Sequence, residues 1–306
     1  MRIWRGITAV VLCLAVAAGG VRAAGGAPSG ELEKALKAIR ARQRRTGAVH
    51  VSWTNTTTNY LEPVGSPPDL KWKHIPGGET HTEENAMWIK DSRARYESRP
   101  GKSRRETIYV ARSGETQQLS IHDSGADQRA YGEVNDWTQL DGPTYMGFKY
   151  TAMTPISMVF RPFDPTIGLV DIETLDAVRT EDRRGHPCLV VRGRTGGRMP
   201  SPPTYVLWLA KDMDYLPIYC EELIREGTEK RGQTTIHYAR RDDEWIPTGW
   251  SQVRFDRGRK NTVYETESVQ VELKASIPDD HFTISYPDEA RVTRKKMKKP
   301  SCPLPE

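Results

Sequence analysis

The chain has 306 residues, 37% hydrophobic and 28% charged, a make-up that excludes both a disordered polymer and a bundle of membrane helices. Forty-five Lys and Arg against 40 Asp and Glu give a formal charge of +5, but the surplus sits at the two ends. Removing Arg2, Arg5 and Arg22 lowers the charge to +2, and setting aside Arg291, Arg294, Lys295, Lys296, Lys298 and Lys299 leaves −4. The body therefore lacks the basic face interleaved with aromatics that a nucleic-acid binder carries.

Arg2 and Arg5 precede an apolar run from Ile7 to Ala18, and Val21-Arg22-Ala23 supplies a small residue for signal-peptidase cleavage. Residues 1–23 read as an export signal, because the run falls short of the roughly 20 residues that span a bilayer. Cys13 lies mid-run, away from the position an acylated cysteine would occupy. The mature chain is expected to be soluble and exported, as in a periplasm.

Ser29 is placed to cap a helix with Leu32, Ala35, Leu36 and Ile39 on one side, Glu31 and Glu33 in its first turn, and arginines at its end. Gly47 ends it, and residues 48–54 begin a sheet. Residues 59–84, with Pro67-Pro68 and Gly77-Gly78, read as a long loop insertion of the kind that forms lids. Residues 85–124 then form a ladder of short strands. Ala94, Tyr96, Ile108, Val110, Leu119 and Ile121 recur with period two and are expected on one face, with Arg93, Arg95, Glu97, Gln118, Ser120 and His122 on the other.

Another strand is expected over 129–134 and a helix over 153–160. Strands follow at 174–180, 188–192, 204–210, 218–224, 234–240, 249–256, 262–273 and 282–286. The expected class is mainly β, a sandwich or barrel. One domain covers 24–295, and a basic tail, 296–306, is read as a solvated disordered end. The mature cysteines are Cys188, Cys220 and Cys302. A bridge between Cys188 and Cys220 is not expected, since the strand from Tyr205 to Ala210 should separate them beyond disulfide reach.

His74 and His81 lie near Glu79, Glu83 and Glu84, but without HExxH spacing, and they read as part of a solvated polar stretch. Gly193 to Arg198 lacks the Lys-Ser/Thr ending of a phosphate loop, and no serine stands in a GxSxG elbow. Neither catalytic residues nor metal nor cofactor are expected. The richest segment is Pro143 to Phe163, which carries Met146, Met153 and Met158 among aromatic and aliphatic residues, a composition suited equally to a core plug or to an adaptable acyl cavity.

Three segments in order carry a resemblance: Trp88-Ile89-Lys90 with Arg95-Tyr96 and Ile108-Tyr109-Val110; Thr154-Pro155-Ile156-Ser157-Met158-Val159-Phe160-Arg161; and Phe282-Thr283-Ile284-Ser285-Tyr286-Pro287. Together they resemble the LolA/LolB-like family of periplasmic lipoprotein carriers, over about residues 30–295. The resemblance implies an incomplete antiparallel β-barrel, or half-barrel, whose apolar face is covered by helices and holds acyl chains of lipids or lipoproteins without covalent chemistry. It also implies a membrane-bound donor or acceptor protein as partner, and it makes Thr154 to Phe160 a lid.

The residues expected at the cavity are Trp88, Tyr96, Tyr109, Met153, Ile156, Met158 and Phe160. The alternative is an envelope-stress sensor resembling the MucB/RseB branch, which binds lipid and a membrane partner. That branch adds a C-terminal domain, for which the closing motif here leaves little chain. The arginine that latches the family's lid has no counterpart at Asp91-Ser92.

Overall fold

The computed structural model describes residues 29–64, 71–100, 105–112, 115–123, 128–136, 154–195, 202–225 and 227–296. The expected export signal, Met146, Met153, Cys302 and most of the basic tail lie outside them. Helix α1 (Ser29–Thr46) forms as its pattern requires, with Ala35 and Ile39 buried. Gly47 stops it with φ +61, and its N–H reaches back to the Gln43 carbonyl at 3.2 Å, a left-handed cap that glycine adopts without steric cost.

The first arm of the sheet is β1 (Val49–Val64), β2 (Lys71–Lys90), β3 (Arg93–Pro100), β4 (Arg105–Arg112), β5 (Glu115–Asp123) and β6 (Gln128–Asp136). After helix α2 (Thr154–Phe160), the second arm is β7 (Asp176–Arg183), β8 (His186–Arg194), β9 (Thr204–Ala210), β10 (Leu216–Ile224), β11 (Glu229–Arg241), β12 (Glu244–Asp256) and β13 (Arg259–Leu273). A last strand, β14 (Arg291–Lys296), runs parallel to β6. The 14 strands among the described residues form one sheet in the order β14-β6-β5-β4-β3-β2-β1-β13-β12-β11-β10-β9-β8-β7. Each arm is an antiparallel meander, the arms join where β1 pairs β13, and the sheet is open at β14 and β7. It is therefore an incomplete barrel.

Three expectations are corrected. The stretch 59–84 is not an irregular loop: its described residues belong to β1 and β2, a long hairpin. Gly77 and Gly78, at φ 82 and 74, serve a bulge in which the pairing passes from Asn59↔Glu79 to Leu61↔His74. A Cβ on Gly78 would sit 2.5 Å from Thr58 Cγ2, so the glycine is required there.

The second correction concerns the faces of the ladder. Ala94 pairs Ala111 and Tyr96 pairs Tyr109, whereas Val110 pairs Arg95 and Ile108 pairs Glu97. Directly opposed residues share a face, so Ile108, Val110, Leu119 and Ile121 lie on the face opposite Ala94 and Tyr96. Period two fixes alternation within each strand; the phase between strands is set by the hairpin turns.

The third correction concerns the end of the chain. Residues 282–286 form no strand: a short 3-10 turn (Asp279–Phe282) leads into an irregular strap, and the closing strand is β14, which takes in Arg291 to Lys296 of the basic cluster. Phe282 and Ile284 are buried against Val110, Leu119 and Ala130 on the outer face. The Ile284 N–H donates to Gln117 Oε1 at 2.7 Å.

Two cores result. The inner one joins α1 and α2 to residues of both arms, from Val51 and Tyr96 to Leu189, Leu207 and Trp250; the outer one lies beneath the strap. Cys188 and Cys220 are buried and free. Cys188 pairs Ala210 and Cys220 pairs Leu207, so β9 separates them and the two thiols point to opposite faces.

Candidate functional site

Helices α1 and α2 pack on the inner face. In α2 every residue from Pro155 to Phe160 is buried, and Ile156, Met158 and Phe160 join Tyr96, Met87 and Ile89 in a single apolar cluster. A seven-residue helix is too short to be stable alone, so packing and ties to the frame hold it.

Two arginines make those ties. Arg42, on α1, donates to the Val159 carbonyl at 2.9 Å and to the Asp214 carbonyl at 3.2 Å. Arg161, just after α2, donates to the carbonyls of Gly47 at 2.8 Å, Phe160 at 2.8 Å and Asp91 at 3.3 Å. Burial pulls the Arg42 guanidinium down to about 10 and lowers that of Arg161, yet both remain protonated near neutrality. The Asp91-Ser92 turn, with Asp91 at φ 53, accepts from Arg161, and Ser92 Oγ donates to Asp164 Oδ2 at 2.7 Å. The helix is thus fastened to the sheet by arginines of α1 and of its own C-terminal side. No arginine stands at Asp91-Ser92, where the resemblance would put the latch; the ties come from Arg42 and Arg161 instead.

The seven expected cavity residues divide. Tyr96, Ile156, Met158 and Phe160 meet in the inner core. Tyr109 is opposite Tyr96 in the pairing of β3 with β4, and Met153 lies outside the described residues. Trp88 does not join them: it pairs Arg95 on the outer face, stacks on His50 at 4.7 Å and meets His281 edge-on at 4.6 Å. Its inner neighbours are Met87 and Ile89, and the inner aromatics missed from sequence include Trp53, Trp250 and Tyr205. The alternation Val49-Val51-Trp53 carried a signal for the first; nothing local announced the second.

Away from the helices the inner wall turns polar. Asn55, Thr57, Asn85, Ser98, Thr107, Thr234 and Gln252 are all buried, Tyr96 Oη donates to Asn85 Oδ1 at 2.6 Å, and Arg254 is paired with Glu222 on the same wall. A separate open groove of about 470 Å³ lies mainly against the outer face, lined by Ser52, Glu84, Trp88, Glu97 and Arg99. Its charged walls suit water better than an apolar ligand. His74 and His81 stand on the β1–β2 hairpin, His74 stacked on Tyr60 and His81 near Glu83 at 3.5 Å. Among the described residues no three His, Cys, Asp or Glu side chains gather to hold a metal.

Under the strap, burial and the nearby Arg95 guanidinium lower the pKa of His281, with Glu97, Asp280 and His50 as further neighbours. As pH falls through the ordinary histidine value of about 6.5, the unfolded chain takes up a proton that the folded one refuses. Stability from this group is therefore complete above that value and is lost as pH falls below it. The urea midpoint is expected to drop between roughly pH 7.5 and 5.5, and to drop less in His281→Phe, which keeps the ring but binds no proton. An unchanged slope in that variant would assign the effect elsewhere.

No family profile and no curated sequence matches this chain. Solved structures do. One described as a candidate outer membrane lipoprotein-sorting protein domain, from Vibrio parahaemolyticus, superposes with a TM-score of 0.53 at 13% identity over 82% of this chain and 95% of its own. A DUF1329 family protein from Desulfovibrio piger gives 0.50 at 12% identity over 82% and 96%. The open sheet joined through β1 and β13, with helices on its inner face, is thus the LolA-like fold in a divergent sequence.

Proposed function

We propose that this chain is an exported, non-enzymatic carrier that binds acyl chains of lipids or lipoproteins between the sheet and helices α1 and α2. The observation that carries the reading is α2. A seven-residue helix buries Pro155 through Phe160 in an apolar interior, and the polar ties at its C-terminal end run from Arg42 and Arg161 to backbone carbonyls. Such a plug is displaced by breaking few bonds, and acyl methylenes then replace its side chains. Met87, Met158 and Met213 in the same cluster are side chains that repack around varied apolar shapes.

Tyr96, Ile156, Met158 and Phe160 contact the ligand, and Trp53 stands in the place given from sequence to Trp88. The likeness to a lipoprotein-sorting domain supports the same reading. Residues 1–23 direct export to a periplasm, and a membrane-bound protein delivers or receives the cargo. Among the described residues no helix is long and apolar enough to cross a membrane.

Organic extraction of the purified mature chain, followed by mass spectrometry, should yield co-purifying acyl lipids. Displacement of a fluorescent fatty-acid probe should strengthen with ligand chain length, by about 0.8 kcal/mol for each methylene taken from water. A protein that carries no lipid and binds no acyl probe is not a carrier.

A further inference from the structure

Where the inner wall passes from aliphatic to polar, Trp53 on β1 and Trp250 on β12 stand with their rings in edge contact at 5.4 Å, 3% and 2% exposed. Neither indole N–H finds a partner among the described residues. Nor does Oε1 of Gln252, which is 2% exposed and two residues beyond Trp250 on the same face of β12. Residues so spaced on a strand stand about 7 Å apart, within reach of one small polar group.

The surrounding polar atoms are paired: Tyr96 Oη donates to Asn85 Oδ1, Gln252 Nε2 to Thr234 Oγ1 at 3.2 Å, and Thr266 Oγ1 to Asn55 Oδ1 at 3.4 Å. The orphans therefore form a set of two donors and one acceptor among paired neighbours, and each carries an uncompensated desolvation cost; the other buried orphans among the described residues, such as Ser157 Oγ and Thr195 Oγ1, lie on other elements. A bulge lies beside Trp53, where the pairing with β13 passes from Ser52↔Gln270 to Thr54↔Glu267 and Ser268 takes φ 55. Bulges of this kind re-aim side chains next to sites.

We propose that these three atoms form a subsite for a secondary amide at the head of an acyl chain. The amide carbonyl, with two lone pairs, accepts from the Trp53 and Trp250 indoles, and the amide N–H donates to Gln252 Oε1. The hydrocarbon then runs toward the aliphatic wall under α2. This rests on the acyl-carrier reading and adds the linkage that the carrier selects. An ester satisfies the two donors but leaves Gln252 Oε1 unpaired. A carboxylate brings a charge to a wall whose nearby cation, Arg254, is already held by Glu222.

The test titrates the mature wild-type chain with N-methyl lauramide, methyl laurate and laurate, which share one hydrocarbon tail. The amide is expected to bind about tenfold more tightly than the ester. In uniformly ¹⁵N-labelled protein, two indole N–H resonances, assigned through Trp53→Phe and Trp250→Phe, should move on amide binding. Gln252→Met should bring the amide down to the ester's affinity and leave the ester where it was. Equal affinities for amide and ester in the wild-type chain, or indole signals that stay in place, overturn the subsite and leave the carrier reading standing. If none of the three ligands binds, both fall. The wild-type comparison decides the matter even if a variant fails to fold.

Discussion

Replacing Arg42 by leucine is expected to destabilise the chain by about 2–3 kcal/mol, because it strips the donor from the buried Val159 carbonyl and from the partly buried carbonyl of Asp214. The guanidinium has no bonded carboxylate to leave stranded, so the cost is that of orphaned carbonyls and lost packing rather than of a broken buried ion pair. Since Val159 lies in α2, the same change should loosen the helix before it unfolds the sheet. Backbone amides of 157–161 should then exchange with solvent faster than those of β8 to β10. A variant as stable as the parent, with α2 equally protected, would show that Arg42 does not hold the helix.

Phe282→Ala should cost about 3–5 kcal/mol, the usual range for emptying a buried aromatic site. Phe282 anchors the strap to the outer face, where Arg93 lies over its ring at 5.0 Å. Losing the anchor uncovers Val110, Leu119 and Ala130 together, so the variant should also bind a hydrophobic dye and tend to aggregate. The exposed end of the same strap makes a control. Lys90 and Arg93 both reach Asp279, but this carboxylate stands in solvent, and Asp279→Asn should shift the urea midpoint very little. Denaturant curves of the two variants should separate clearly. If they coincide, the strap is not part of the cooperative fold.

Much of the frame was legible because local chemistry and fold agree. Ser29, the Leu32 to Ile39 stripe and Gly47 specify α1, and the short apolar runs of β8 to β10 bounded by turn residues specify strands buried on both faces. The hairpin of β1 and β2 was not legible. Its outer half, Asn55 to Asn59 against Glu79 to Glu83, is polar on both faces, so no hydrophobic alternation marks it.

Phe282, Ile284 and Tyr286 do alternate, but they alternate as anchors of an unpaired strap, and side-chain periodicity says nothing about whether the backbone has a neighbour. The interior was half legible. Ile156, Met158 and Phe160 are adjacent in sequence, whereas the Arg42 tie spans 117 positions and the meeting of Trp53 with Trp250 depends on the intervening strand β13. The phase of β2 is equally silent in its sequence: Met87 and Ile89 face the core, and the larger Trp88 between them does not.

The junction of β1 with β13 has a kinetic corollary. Asn55 and Thr266, paired across it, are 211 positions apart, while every other antiparallel neighbour in either arm is joined to the next strand along the chain. Each arm can zip up from its own hairpins, but the inner core draws side chains from both and is complete for neither alone. A chain threaded through a membrane N-terminus first would carry β1 as a raw edge, with Val51 and Trp53 uncovered, until the last long strand emerged. Until β13 forms, that edge is open to pairing with another chain.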